Sequence, residues 1–359
     1  MKMVFTNDPG SNGMLHLEER KYIPEGWDVV IADMKAEGDN AEFYKLLEDA
    51  DVVINSYVYF GKKEIDALKK CKCISFQSTG YNEVDLDYAA EKGIAVASIL
   101  DYCTQETAEN AIATMLCLQR GTLIYNRSIQ EDKVWDCTVV QHQQRVEGQT
   151  MGIVGLGRIG RHVARIAGKG LGMKILAYDP YLPPEIAEAA GATLVDLDTI
   201  FAESDVISIH MNLTEDNVHM FDREAFSKMK KKPFIINEGR GPMISEEALA
   251  WALDTGLVRG AGLDMLESEF PDAEYLSKCP LLGRDNVIIN PHSGFQSDTS
   301  LELIYQISVE NAVKCFEGKY KEIFNTDAKE FGGSGRVNGR MKSSKKIEWD
   351  EKEDSIEVN

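Results

Sequence analysis

His292 stands in "NVIINPHSGF", residues 286–295, where a run of strand-forming apolar residues gives way to a loop. It is one of six histidines in a chain of 359 residues. An imidazole exchanges a proton near neutrality, so a histidine here is either a satisfied structural group or a general acid/base. The second role needs a cofactor, partners for the ring and a reaction that uses a proton. A cofactor is suggested by "GIVGLGRIG", which sets Gly155, Gly157 and Gly160 in a G-x-G-x-x-G pattern between a strand and a helical run. The first two glycines permit a tight turn and a close approach of backbone to a pyrophosphate, and the third lets helix and strand pack closely. About twenty residues on, "KILAYD" ends in Asp179, placed to accept hydrogen bonds from a ribose and to repel a 2′-phosphate. The pattern therefore favours NAD over NADP.

The elements that must position these residues alternate between short apolar strands and helical patterns, which argues for α/β architecture with parallel sheets. Strands are expected at "MVF", "DVVIA", "DVVIN", "CISF" and "IAVAS". "TQETAENAIATMLCLQR" reads as one long helix capped by Thr104. A second series runs through "TMGIVGLG", "KILAYD", "DVISIH", "PFIINE", "GAGLDM" and "NVIINP". After His292, "SDTSLELIYQISVENAVKCFEGK" is a helix that the second series does not need, so it is expected to return to the first domain. The layout is two Rossmann-like parallel-sheet domains. A continuous NAD-binding domain, residues 102–295, is inserted in a discontinuous, flavodoxin-like substrate domain, residues 1–101 and 296–326. Residues 327–359, with "GGSG" and mixed charge, read as a flexible tail.

The chain carries 39 basic and 59 acidic side chains, for a net charge of −20, which disfavours nucleic-acid binding. An acidic substrate would then need local cationic help. Seven scattered cysteines form neither a disulfide framework nor a metal site, and no metal is expected. The N-terminus lacks the apolar core of a signal peptide, and "AIATMLCL" is too short to span a bilayer. A soluble, cytoplasmic protein without membrane contact is expected.

"IINEGRGPMISEEAL", "GAGLDMLESEF" and "INPHSGF" end successive strands of the second series, where ligands bind in open α/β sheets. With these stretches the sequence resembles the D-isomer-specific 2-hydroxyacid dehydrogenases over roughly residues 50–320. The resemblance implies that Arg240, Glu269 and His292 act together and that Asp264 lies beside the nicotinamide. It further implies cofactor contacts from Gly155, Gly157, Arg158, Ile159, Gly160, Asp179, Met211, Asn212, Asn217, Glu238, Gly239, Arg240, Asp264 and His292. "STGYN" would bind the substrate carboxylate through main-chain N–H groups of Ser78, Thr79 and Gly80, with Tyr102 and Arg240 nearby. "HMNLTEDNVHMFD" and Tyr102 are similar to the D-lactate dehydrogenase branch, whereas the short span from Glu269 to His292 is similar to glycerate, glyoxylate and phosphoglycerate members. Three residues depart from the pattern: Asn212 for proline, Phe270 for proline, and Glu238, an acid beside the cofactor loop. A homodimer is implied, with "RGTLIYNRSIQEDKVWDCTVVQHQQR" as its arm.

Chemistry supports the same trio. Reducing a 2-keto acid takes a hydride, a proton for the carbonyl oxygen and a cation for the carboxylate. Arg240 offers a planar fork of donors. His292 supplies the proton, and the Glu269 carboxylate fixes its tautomer and stabilises the imidazolium. Taken singly, the three also fit a surface ion pair, a solvated acid and a structural histidine. His210 and His219 flank a loop on the cofactor side, where contact with NAD and a structural role are equally open. The expected function is NAD-dependent, reversible reduction of a small 2-keto acid to a D-2-hydroxy acid. The alternatives are a relative acting on another small anion such as phosphite, or an NAD(H)-sensing, co-repressor-like binding protein of the same fold.

Overall fold

A computed structural model describes residues 1–7, 21–35, 38–81, 83–269, 271–319, 323, 347–349 and 356–358. Phe270 and most of the expected tail lie outside the described residues. Two compact units are present, Met1–Tyr102 together with the chain from Ser297 onward, and Cys103–Gln296.

The first unit begins with β1 (Lys2–Asn7), β2 (Asp28–Asp33), α1 (Ala41–Leu47), β3 (Val52–Asn55), α2 (Lys62–Ala67), β4 (Cys73–Phe76), α3 (Leu86–Glu91) and β5 (Ala95–Ala97). The second continues with α4 (Thr104–Arg120), α5 (Thr122–Gln130), β6 (Thr150–Val154), α6 (Arg158–Arg165), β7 (Lys174–Tyr178), α7 (Pro184–Ala189) and β8 (Thr193–Leu194). It is completed by α8 (Leu197–Glu203), β9 (Val206–Ile209), α9 (Arg223–Ser227), β10 (Phe234–Asn237), α10 (Glu246–Asp254), β11 (Gly260–Leu263), α11 (Ala273–Lys278) and β12 (Val287–Ile289). The chain then re-enters the first unit through α12 (Asp298–Phe316). Two short strands, Ile347–Trp349 and Ile356–Val358, pair antiparallel.

The first unit is a parallel sheet of order β2-β1-β3-β4-β5. β3 and β4 are buried at every position, as expected of strands covered on both faces. One face packs Ile54, Cys73 and Ala97 against Val309, Ala312 and Cys315 of α12, and Ser75 Oγ donates to Ser308 O at 2.8 Å. α4 starts at Thr104 as expected, but its N-cap is Cys103, and no side chain caps it.

The second unit is a seven-stranded sheet of order β12-β11-β10-β9-β6-β7-β8. β8, only two residues long, has no counterpart among the expected strands. Strand order reverses between β6 and β9, which makes that crevice the topological switch point. Register then does the positioning. Val154 pairs with Tyr178 and Ile209, Ile209 with Asn237, Asn237 with Leu263, and Leu263 with Ile289. The next residue of each strand, Gly155, Asp179, His210, Glu238, Asp264 and Asn290, therefore leaves the sheet along one line.

At Gly160 a Cβ would stand 2.2 Å from Gly155 O, a backbone atom with no room to yield. Gly160→Ala is thus expected to destabilise by about 1–3 kcal/mol, lowering Tm by roughly 2–10 °C. A calorimetric scan showing wild-type Tm would remove the close-packing argument.

Candidate active site

The glycine turn after β6 has the shape a dinucleotide requires. Gly155 has φ +95°, and a Cβ there would lie 2.7 Å from Met211 Cγ and 2.8 Å from Met211 N. A Cβ on Gly157 would meet nothing within 4 Å, so the space above this residue is open. Gly157 is the N-cap of α6, and the N-terminal end of a helix suits an anion. Asp179 Oδ2 accepts from Leu156 N at 3.0 Å and Oδ1 from Tyr181 N at 3.1 Å. Those bonds fix the carboxylate beside the glycine turn while leaving lone pairs for ribose hydroxyls. The residues present fit NAD.

The loop after β9 braces itself. Asn217 Nδ2 donates to Asn212 O at 2.7 Å, and Thr214 N donates to Asn217 Oδ1 at 2.8 Å. The buried Asn217 side chain thereby shapes the loop that carries Met211. His210 Nε2 lies 2.8 Å from Ser208 Oγ, and burial pushes its pKa down to about 3, so the ring stays neutral. His219 Nε2 is 3.0 Å from Glu267 Oε2. Both histidines have structural partners.

After β10, Asn237 folds the chain back on itself: its Oδ1 accepts from Gly239 N at 3.0 Å and its Nδ2 donates to Arg240 O at 3.0 Å. Arg240 is half-buried, and one guanidinium nitrogen donates to Gly239 O at 2.8 Å. A Cβ on Gly241 would lie 1.6 Å from Leu266 O, so the arginine turn is pressed against the segment that leads to Glu269. That segment is pinned by reciprocal bonds, Glu246 N to Glu267 Oε1 at 2.7 Å and Glu267 N to Glu246 Oε1 at 2.8 Å. Tyr275 OH donates to Glu246 Oε1 at 2.7 Å.

His292 Nδ1 is 2.6 Å from Glu269 Oε1, so this contact does not engage Nε2. Burial opposes ionisation of Glu269, but the hydrogen bond from His292 and the charges of His292 and Arg240 outweigh it and hold the carboxyl below its usual range. His292 itself sits at φ +50°, uncommon for a side chain with a Cβ. It is held there by Asp264: His292 N donates to Asp264 O at 2.6 Å, and Ser293 N and Gly294 N donate to the Asp264 carboxylate at 2.9 Å each. Asn110 of α4 donates to both Glu238 oxygens, at 3.0 and 3.2 Å. Asn110, Glu246, Glu267 and Tyr275 were not among the expected site residues, because tertiary proximity alone recruits them.

In the first unit, Ser78, Thr79 and Gly80 follow β4, and Ser78 Oγ donates to Gly80 O at 2.7 Å. Ser78 O accepts from Ile99 N at 3.0 Å, which fixes the turn beside the loop leading to Tyr102. Among the described residues no group of His, Cys, Asp and Glu is placed to hold a metal ion, and no helix is long and apolar enough to cross a membrane.

Comparison with known proteins yields a consistent set of relatives. The family model for the NAD binding domain of D-isomer specific 2-hydroxyacid dehydrogenases matches residues 112–294. A second model, the C-terminal all-beta domain of alpha amylases, matches residues 299–359, although 299–316 of that stretch belong to helix α12. A hydroxypyruvate reductase of Blautia hydrogenotrophica is 32% identical over 306 residues, 83% of this chain and 92% of that protein. A D-3-phosphoglycerate dehydrogenase of Methanocaldococcus jannaschii is 33% identical over 90% of this chain but only 59% of its own length. Among solved structures, a D-lactate dehydrogenase from Aquifex aeolicus, complexed with NAD and lactic acid, has a TM-score of 0.76 at 27% identity, covering 93% of this chain and 99% of its own.

The burial of Glu238 makes the stability of the fold depend on pH. Burial and the Asp264 charge raise its pKa well above the usual carboxylate range. Below the unfolded pKa, near 4.3, the folded and unfolded states are both protonated and no penalty exists. As pH rises, only the unfolded state gains by ionising, so the fold loses stability until Glu238 itself ionises. Glu238→Gln is therefore expected to melt above wild type near pH 8 and to match it near pH 4, by thermal melts at both pH values. Equal Tm values near pH 8 would contradict the buried, raised acid.

Proposed function

The chain belongs to the D-isomer specific 2-hydroxyacid dehydrogenase family, NAD-dependent oxidoreductases acting on CH–OH groups, and on that premise we propose that it reversibly reduces a small 2-keto acid to the D-2-hydroxy acid with His292 as general acid/base. The observation that carries this reading is the 2.6 Å contact of His292 Nδ1 with Glu269 Oε1 at the same sheet edge as the glycine turn. NADH held by the glycine turn and Asp179 would supply the hydride. Arg240 binds the substrate carboxylate and carbonyl oxygen through its planar fork, and the N–H groups of Ser78, Thr79 and Gly80 take the carboxylate as well. As negative charge develops on the carbonyl oxygen, His292 delivers the proton held at Nε2. Glu269, kept ionised, stabilises the imidazolium before transfer and fixes the tautomer after it. In the oxidative direction His292 recovers the proton from the hydroxyl group. Asp179 holds the adenosine ribose, and Tyr102 lines the substrate side. Hydroxypyruvate and pyruvate are the substrates that the named relatives suggest.

The same reading includes a homodimer in the cytoplasm. Trp135 is 89% exposed, and Leu123, Ile129 and Val134 are exposed near it in sequence, an apolar arm that a second copy would cover. All seven cysteines are free thiols, which suits a reducing compartment.

A panel of keto acids with NADH tests the activity, with phosphite and NAD as a control for a different small anion. Turnover of no keto acid would overturn the reading and favour a dinucleotide-sensing binding protein. His292→Ala is expected to lower kcat about 100-fold or more with NADH binding retained. Asp179→Ala is expected to lose about 1–3 kcal/mol of NADH affinity, measured by fluorescence titration. Wild-type use of NADPH as efficiently as NADH would contradict the role of Asp179.

A further inference from the structure

Glu238 and Asp264 are the two most buried acids of the site, 7% and 3% exposed, and the mechanism above gives Glu238 no task. They leave adjacent strands side by side and converge under the histidine turn. A Cβ on Gly294 would stand 2.6 Å from Glu238 Oε2, 2.8 Å from Asp264 Oδ2 and 3.1 Å from Asn110 Nδ2. The two carboxyl groups are not equivalent. Asp264 accepts backbone N–H groups of Ser293 and Gly294, donors that favour its anion. Glu238 has the Asn110 amide and, among the described residues, no cation in contact. The charged group facing Glu238 is Asp264, and those facing Asp264 include His292 and Glu269. Two buried carboxyl groups this close, without a cation between them, do not both ionise readily.

The glycine turn and Asp179 occupy the β6–β7 side of the switch point, so a dinucleotide lying across it extends its nicotinamide half over the ends of β9 to β12. The nicotinamide ring is cationic in NAD+ and neutral in NADH. We propose that the Glu238–Asp264 pair holds one proton in the free protein, releases it to solvent when NAD+ binds, and keeps it when NADH binds. The site then has the same net charge with either form of the cofactor, and affinity for the oxidised form alone is linked to pH. The inference rests on the dehydrogenase reading, which supplies the dinucleotide.

The test is calorimetric titration of the full chain with NAD+ and with NADH, from about pH 5.5 to about pH 9, with a pH dye in weak buffer to count protons. The Kd for NAD+ is expected to fall by up to about tenfold per pH unit until the pair is ionised, with close to one proton released per NAD+ bound. The Kd for NADH is expected to stay within about threefold, with no proton released. His292 also disfavours a cationic ring when protonated, so two variants separate the sources. Glu238→Gln should flatten the NAD+ dependence, and His292→Gln should retain it. Loss of the slope in His292→Gln with retention in Glu238→Gln would overturn the proposal. Should Glu238→Gln not fold, the proton count of His292→Gln decides, and equal counts for NAD+ and NADH in that variant would overturn it. Failure of either dinucleotide to bind would remove the dehydrogenase reading and this inference together, whereas binding with equal proton counts removes this inference alone.

Discussion

The site depends on the junction made by Asp264. Its own N–H donates to Asn237 O at 3.0 Å, its carbonyl oxygen accepts from His292 N, and its carboxylate accepts from Ser293 and Gly294. One residue thereby joins the ends of β10, β11 and β12. A left-handed conformation costs an L-residue about 1–2 kcal/mol, and hydrogen bonds of about 0.5–1.5 kcal/mol each are enough to offset it at His292. Without the junction the imidazole would relax towards ordinary backbone angles and turn away from Glu269. The geometry of the His292–Glu269 pair is thus set by backbone contacts, with the Glu269 carboxylate refining it.

A second set of contacts ties the other two candidate groups together. The approach of Gly241 to Leu266 O means that the arginine turn and the Glu269 segment share one backbone surface. The paired bonds between Glu246 and Glu267 then lock that segment to the start of α10. The acids at this edge have defined partners: backbone N–H groups for Asp264, the Glu246 N–H and the His219 ring for Glu267, the Asn110 amide for Glu238, the imidazole for Glu269. Burial and the Asp264 charge push Glu238 up, whereas at Glu269 burial is outweighed by the hydrogen bond from His292 and the charges of His292 and Arg240, which hold it down.

The two parallel sheets were legible in the sequence because strands buried on both faces read as continuous apolar runs bounded by turn residues. β8 escaped because "TL" is too short to show any period. Thr104 looked like a cap by residue type, yet the helix begins on it and Cys103 takes the cap position. Glycine spacing at 155–160 and the strand-end placement of Arg240, Asp264, Glu269 and His292 could be read from type and position. The supporting residues could not. Asn110 is a polar residue inside a helix, and Glu246 lies in an ordinary acidic first turn, so nothing local marks either one. Glu238 was visible as an acid, but its burial depends on the neighbours that register brings alongside it.

The discontinuous unit also dictates an order of assembly. Ser75 on β4 waits for its partner Ser308, 233 residues further along the chain. Until α12 leaves the ribosome, the sheet face formed by Ile54, Cys73 and Ala97 has no cover from that helix, while the continuous unit already has its complete chain. Synthesis at about 5–20 residues per second keeps this apolar face open for roughly ten to fifty seconds. The nascent chain is therefore most vulnerable to aggregation through its amino-terminal sheet, and slower translation of the inserted unit lengthens its need for a chaperone.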